Sequence, residues 1–248
     1  MKTTENFVKL SCDDFIGIIE LNDPPQNFFP FPDFLEINVL NEFILSNQLK
    51  GLIFKGAGRH FSAGADQKNL FELARDKESL LSRIEKGVKL LDHIESLEIP
   101  VVSAINGACF GGGLEIALAS HFRICNEKSL FAFPESSINL MPGLGGISKF
   151  LRQSSDNSVL FYLLSGEIIN AQKALELKLV DYISFETKPE EFALQLLNKM
   201  VKDKPLKVIN SIIRSVNNYY KLPYIQALKE ETKMFCELAE DESKRRKV

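Results

Sequence analysis

Asn106-Gly107-Ala108-Cys109-Phe110-Gly111-Gly112-Gly113-Leu114-Glu115 leads out of a strand and opens an apolar helix that reads to about Ser120. The strand before it, Ile99-Pro100-Val101-Val102-Ser103-Ala104-Ile105, is short and mostly apolar and reads as a buried strand. The alternation continues in both directions. Upstream, Gly51-Leu52-Ile53-Phe54 reads as another buried strand. Between the two strands, Gln67 to Leu97 reads as one or two helices with a stripe at Leu80, Ile84, Val88 and Leu91. Phe34 to Ser46 has helical spacing (Leu35, Val39, Leu40, Phe43, Ile44), and Val8 to Leu21 reads as strands with a turn at Asp13-Asp14. Consecutive prolines make Asp23-Pro24-Pro25-Gln26-Asn27 a loop. Downstream, His121 to Cys125 and Ser129 to Phe133 are short strands. Strands alternating with helices predict an α/β fold built on parallel pairings.

From about Lys188 only helical pattern remains: Phe192 to Met200, Leu206 to Tyr220, and Tyr224 to the end. This divides the chain into a core, 1–187, and a helical region, 188–248, packed on the core or on another subunit. No internal repeat or low-complexity segment interrupts this plan.

Composition narrows the function classes. The chain has 248 residues, 45% apolar and 25% charged, enough to bury a substantial core. A net charge of −3 gives no reason to expect nucleic acid or an anionic membrane as partner. Cys12, Cys109, Cys125 and Cys236 are scattered, which reads as reduced thiols rather than a disulfide framework or a zinc site. The start, Met1 to Asn6, lacks an apolar signal core, and no apolar run approaches the length of a membrane span. A cytoplasmic location is expected. His60, His93 and His121 have no metal-ligand spacing and read as structural or surface residues, so no metal is expected.

Three motifs carry chemistry. Glycines at Gly111-Gly112-Gly113 let a ligand approach backbone N–H groups that the first helical turn leaves without partners. The helix dipole at that end favours negative charge by a few tenths to about 1 kcal/mol when exposed. A second donor is available from the turn Gly58-Arg59-His60-Phe61-Ser62-Ala63-Gly64-Ala65-Asp66. Two carboxylates stand nearby in sequence, Glu115 and, twenty residues on, Glu135 in Phe133-Pro134-Glu135; Pro142-Gly143-Leu144-Gly145-Gly146 follows. Backbone donors for an anionic oxygen plus two carboxylates for proton transfer suit enolate chemistry. Singly, each motif has a plainer reading. The glycines serve a tight turn or close helix packing, Glu115 complements the helix dipole, and Pro134-Glu135 is an ordinary helix start.

Taken together and in order, these motifs resemble the enoyl-CoA hydratase/isomerase (crotonase) superfamily. The match runs from about Phe15 to Val180 and more loosely through the C-terminal helices. It is carried by Gly56 to Asp66, Ile99 to Gly107, Gly111 to Glu115, Phe133-Pro134-Glu135, Pro142 to Gly146, and Ala171-Gln172-Lys173-Ala174 leading to Leu179-Val180. The resemblance implies a spiral of β-β-α units, with C-terminal helices that build a homotrimer or a hexamer. It implies an oxyanion hole from the backbone N–H groups of Ala65 and Gly112, and catalysis by Glu115 on water and Glu135 on the α-proton. The implied substrate is an acyl-CoA thioester, with no separate cofactor, lying along Pro25, Gln26, Asn27, Ala63, Gly64 and Asp66, with Lys68 available for a phosphate. Gly111, Phe133, Pro134 and Gly143 complete the implied contacts.

The chain departs from the family pattern in places. Phe133 replaces the glutamine common before Pro-Glu, Phe28-Phe29-Pro30 follows Asn27, and Ile147-Ser148-Lys149 follows the glycines. The short basic ending, Lys244 to Lys247, is similar to that of polyketide-pathway enzymes of this fold, whose substrates ride on an acyl carrier protein. It also reads as a solvated helix end balancing Glu240 to Glu242. The expected activity is reversible hydration of a 2-enoyl thioester. A double-bond isomerase, a polyketide dehydratase or decarboxylase, and a silent binding subunit are the alternatives.

Overall fold

A computed structural model describes residues 7–154 and 156–246 of the chain. The Met1–Asn6 segment and the tail position Lys247 lie outside the described residues. Strands β1 (Val8–Asp13) and β2 (Ile16–Leu21) form an antiparallel hairpin through the turn at Asp14, which takes positive φ. The chain then crosses through helix α1 (Ile37–Ser46) to β3 (Gly51–Gly56), and through α2 (Gln67–Leu73) and α3 (Lys77–Glu95) to β4 (Val101–Ile105). Next come β5 (Ala108–Phe110), α4 (Gly112–Leu118), β6 (Phe122–Asn126), β7 (Leu130–Ala132) and a 3-10 turn over Pro134–Ile138. Helices α5 (Gly146–Gln153) and α6 (Ser158–Ser165), strand β8 (Ile169–Asn170), helix α7 (Ala171–Glu176) and strand β9 (Tyr182–Ser184) complete the layers.

Among the described residues the strands form a six-stranded sheet in the order β1-β2-β3-β4-β6-β9 and a three-stranded sheet β5-β7-β8. Pairing is parallel from β2 to β9 and between β5 and β7. The expectation of parallel pairing needs correction at two places, since β1–β2 and β7–β8 run antiparallel. A two-residue turn can only return the chain antiparallel, and the period of the apolar residues does not report strand direction. Each passage of the chain places one strand in the large sheet and the next in the small one, followed by helix: β4-β5-α4, then β6-β7 and its helices. Isolated bridges Phe29–Ala65 and Ser62–Cys109 extend the small layer into the loops after β2 and β3. This is the spiral of β-β-α units.

The helical faces follow the expected stripes with one shift. In α3 the buried residues are Gly87, Leu90, Leu91 and Ile94, whereas Val88 is exposed. The inward face is centred on a residue without a side chain: a Cβ on Gly87 would lie 2.7 Å from Pro32 Cβ. Helix α4 ends at Leu118, two residues before the expected Ser120.

The C-terminal region is α8 (Pro189–Val201), α9 (Leu206–Lys221) and α10 (Tyr224–Arg245). Ala193, Leu197 and Val201, four residues apart on α8, pack with Ile53, Val102, Ala104 and Ile124 of the large sheet. Helix α9 buries Ile209 alone and α10 buries Ala227 and Met234. Ile212, Val216, Tyr219, Tyr220, Tyr224, Ile225, Leu228 and Phe235 stay exposed. Arg214 holds α9 to the segment before β4 through a two-pronged ion pair with Glu98, both contacts at 2.6 Å. Among the described residues no helix is long and apolar enough to cross a membrane.

Candidate active site

The glycine turn is built by close backbone approach. Gly107 sits at positive φ between β4 and β5, where a Cβ would lie 2.4 Å from Arg59 O and 2.5 Å from His60 Nδ1. His60 Nδ1 accepts the Ala108 N–H (3.0 Å), which ties the 58–66 turn to β5. Gly113 abuts Ser62, where a Cβ would come within 2.5 Å of its carbonyl oxygen. A Cβ on Gly64 would lie 3.4 Å from Gly112 N and 3.0 Å from Phe110 O, so the 64–65 turn lies directly against the start of α4.

Within this arrangement most of the neighbouring N–H groups are engaged. Gly64 N–H donates to Ser62 Oγ, Asp66 N–H to Phe29 O, Gly111 N–H to Ala132 O, and Leu114 and Glu115 N–H to Gly111 O. Among the described residues, the N–H groups of Ala65, Gly112 and Gly113 have no acceptor in the protein. Gly112 is buried, and a buried donor without a partner is costly.

The two carboxylates lie close enough for the Glu135 charge to act on Glu115. Glu115, on the first turn of α4, is 2% exposed. Its Oε1 accepts N–H bonds from Leu144 (2.7 Å) and Gly146 (2.8 Å), leaving Oε2 outside those bonds. Burial pushes its pKa up to about 7 against the opposing pull of those two N–H groups; the Glu135 charge raises it further and Lys149 lowers it. Glu135 lies in the 3-10 turn, and its Oε2 is buried with no hydrogen-bond partner. Its Oε1 lies 2.9 Å from where a Cβ on Gly111 would stand, so only glycine at 111, also at positive φ, leaves room for it. Burial raises the Glu135 pKa to about 6. A buried and a half-buried carboxyl, both with raised pKa, beside unbonded N–H groups make this the candidate active site.

The other expected contacts divide. Gln26 is exposed, and its carbonyl accepts the Ala63 N–H at 2.9 Å, so the 25–27 loop does run beside the 63–66 turn. Asn27 is instead spent inside: its amide donates to Ala57, His60 and Phe61 carbonyls, and its oxygen accepts from Asp23 N–H. Its place is to brace the two loops, with Ser62 Oγ donating to its own carbonyl at 2.7 Å. Asp66 caps α2 through the Asn69 N–H, and Lys68 is exposed one turn on. Phe133 is buried, stacked at 6.1 Å on Phe150 and beside Gly146 and Glu115. Pro134 and Gly143 are exposed at the rim.

Sequence reasoning missed Leu144 and Gly146 as the holders of Glu115. The signal was present, because a glycine-rich turn offers N–H donors at 143–146 as it does at 111–113. It also missed Phe29, whose ring packs under the oxyanion turn and would be 2.3 Å from a Cβ on Gly112.

Comparison with known sequences decides the family. The sequence model described as enoyl-CoA hydratase/isomerase matches residues 13–247. A probable enoyl-CoA hydratase of Bacillus subtilis (strain 168) is 32% identical over 239 residues, covering 96% of this chain and 92% of that protein. This chain belongs to the enoyl-CoA hydratase/isomerase family. It is an enzyme of the hydratase/isomerase kind, and its fold is the crotonase fold. The crystal structure of an enoyl-CoA hydratase from Polaromonas sp. JS666 superposes with a TM-score of 0.85 at 24% identity, covering 93% of this chain and 90% of that one. A Thermobifida fusca YX structure solved in complex with CoA superposes with a TM-score of 0.81 at 17% identity, covering 98% of both chains.

Proposed function

We propose that this enzyme is a hydratase, reversibly adding water to a 2-enoyl-CoA. The observation that carries the reading is the pairing of a buried and a half-buried carboxyl, Glu115 and Glu135, with the unbonded N–H groups of Ala65 and Gly112. The thioester carbonyl accepts both N–H groups, which draws charge onto its oxygen and makes the β-carbon electrophilic. Glu115, fixed by Leu144 and Gly146, takes a proton from water as it attacks the β-carbon. Glu135 delivers a proton to the α-carbon, and the oxyanion returns to a carbonyl. Every proton moves between water, the two carboxyls and the substrate, so the thioester is the only coenzyme the reading requires. The test is addition of water to crotonyl-CoA, followed by loss of the conjugated thioester absorbance.

The competent state of the pair holds one proton, on Glu135; because Glu115 has the higher pKa this is the less populated of the two one-proton forms, and hydration draws on that fraction. With apparent values of about 6 and about 7, both carboxyls are protonated below that range and no base remains for water. Above it both are ionised and no acid remains for the α-carbon. The expected kcat/KM profile for hydration is therefore bell-shaped with its maximum between pH about 6 and about 7. A flat profile from pH 5 to 9 would contradict a two-carboxyl mechanism.

The carrier is read as CoA. Lys244 pairs with Glu240 at 2.6 Å and Arg246 with Glu242 at 2.9 Å, four residues apart on α10, which supports a self-neutralised helix end over a carrier-protein dock. The same acyl group should give a higher kcat/KM on CoA than on pantetheine, and a carrier protein should give no further gain. Equal values for CoA and pantetheine, with improvement on a carrier protein, would reverse the choice. The exposed apolar face of α10, with Tyr224, Ile225, Leu228 and Phe235, suits a homotrimer in which the C-terminal helices join the copies, and sedimentation measures its mass.

A further inference from the structure

Helix α4 starts at the active-site glycines and ends at a second cavity. This cavity, of about 840 Å³, opens between the amino ends of β4 and β6 and helices α5, α8 and α9. Leu118, the last residue of α4, lines it, whereas Glu115, Glu135, Ala65 and Gly112 do not. The volume falls within the range of small-molecule sites. One wall is apolar, with Phe122, Ile209, Ile213 and Val216.

The charged lining is unbalanced. Six cations face it (Arg123, Lys149, Arg152, Lys199, Lys204 and Lys221) against two carboxylates, Glu95 and Asp181. Glu95 is already paired with Lys149 and Arg152, and Asp181 with Arg123. Lys199, Lys204 and Lys221 therefore add positive potential that nothing in the lining offsets.

Two lining residues, His121 and Arg123, each carry a buried donor that has no acceptor in the protein. Arg123 is 4% exposed; it donates from Nη1 to Ser120 O (2.5 Å) and pairs from Nη2 with Asp181 (3.0 Å), but its Nε–H has no acceptor. His121 Nδ1 accepts the Val101 N–H at 3.0 Å, which places the ring proton on Nε2, and that buried nitrogen also has no partner. Burial and the Arg123 charge hold the ring neutral, at a pKa of about 4, so this tautomer persists at physiological pH. The two residues flank Phe122 at the start of β6, and alternation along a strand turns both to one side. The buried amide oxygen of Gln153, on the same lining, is likewise unpartnered.

We propose that this cavity is a second ligand site, for an amphipathic carboxylate of the fatty-acid class. The head group accepts from His121 Nε2–H and Arg123 Nε–H, and the alkyl chain lies along Ile209, Ile213 and Val216. Dodecanoate is the probe, titrated calorimetrically into the full chain. One site per chain is expected, with dodecanol at least about tenfold weaker because it cannot use the charged donors. His121→Phe should weaken dodecanoate about tenfold, and Ile213→Trp should abolish binding by filling the cavity. Glu115→Gln, at the catalytic centre, should leave it unchanged and so separates this site from the acyl site. Lys204→Ala with Lys221→Ala, both exposed and safe for folding, should weaken binding most at low salt. Loss of binding in Glu115→Gln but not in Ile213→Trp would overturn the proposal by placing the ligand at the active site. Absence of dodecanoate binding to the wild-type chain would overturn it too, and a change of oligomeric mass in Ile213→Trp would then give the cavity to a second copy of the chain.

Discussion

Glu115→Gln is expected to cut crotonyl-CoA hydration by two to four orders of magnitude, the usual range for a lost general base, while leaving the fold intact. Glutamine keeps the volume and an oxygen that still accepts the Leu144 and Gly146 N–H groups, so the 143–146 turn has no reason to move. Stability separates loss of chemistry from loss of structure. Burial raises the folded-state pKa of Glu115 from its ordinary 4.5 to about 7. Its favourable contribution is complete below about pH 4.5 and is lost as pH rises through about 7. At pH 8 the wild-type chain therefore holds a buried charge that the variant lacks, and the Tm of Glu115→Gln should be equal or higher there. A lower Tm at pH 8 with a proportionate activity loss would mean that the carboxylate is structural. Glu135→Gln should match the kinetic loss, because Glu115, the other carboxyl of comparable pKa, is engaged with the attacking water. If Glu115→Gln kept hydration while Glu135→Gln abolished double-bond migration, the enzyme would be an isomerase working through one carboxyl.

Much of this arrangement was legible in the sequence, for identifiable reasons. Pro205 and Pro223 stand just before α9 and α10, so those helix starts were read at Leu206 and Tyr224. Strands buried on both faces, such as Gly51–Gly56 and Val101–Ile105, carry a single polar residue each, Lys55 and Ser103, so their pattern stays plain. The small sheet was not legible in full. Ala108–Phe110 is three residues between glycines and β8 is two, both too short to show any period. The inward face of α3 was misjudged because its closest approach is made by Gly87, which apolar counting ignores. At the site, the glutamates could be named because carboxylates are chemically conspicuous. Asn27 could not be assigned its bracing role, because four internal bonds to residues as distant as Phe61 leave no local trace. The holders of Glu115 are backbone groups, whose identity no side chain announces.

Gly112→Pro should abolish turnover, since it deletes one of the two donors without touching either carboxylate. Losing one such donor costs on the order of a hundredfold to a thousandfold in kcat. Proline suits the first helical position, where the N–H has no helical partner in any case. The obstacle is Phe29, whose ring lies 2.3 Å from any Cβ at 112. Both arms of the comparison therefore carry Phe29→Leu, which opens that space. In this background Gly112→Ala adds a Cβ and keeps the N–H, whereas Gly112→Pro adds a Cβ and removes it. Circular dichroism and Tm should agree between the two proteins, and kcat should differ by about a hundredfold or more in favour of alanine. The deficit should fall on kcat more than on KM, because the oxygen carries its full charge only in the transition state. Equal kcat in two folded proteins would remove Gly112 from the oxyanion pocket and leave Ala65 to act alone.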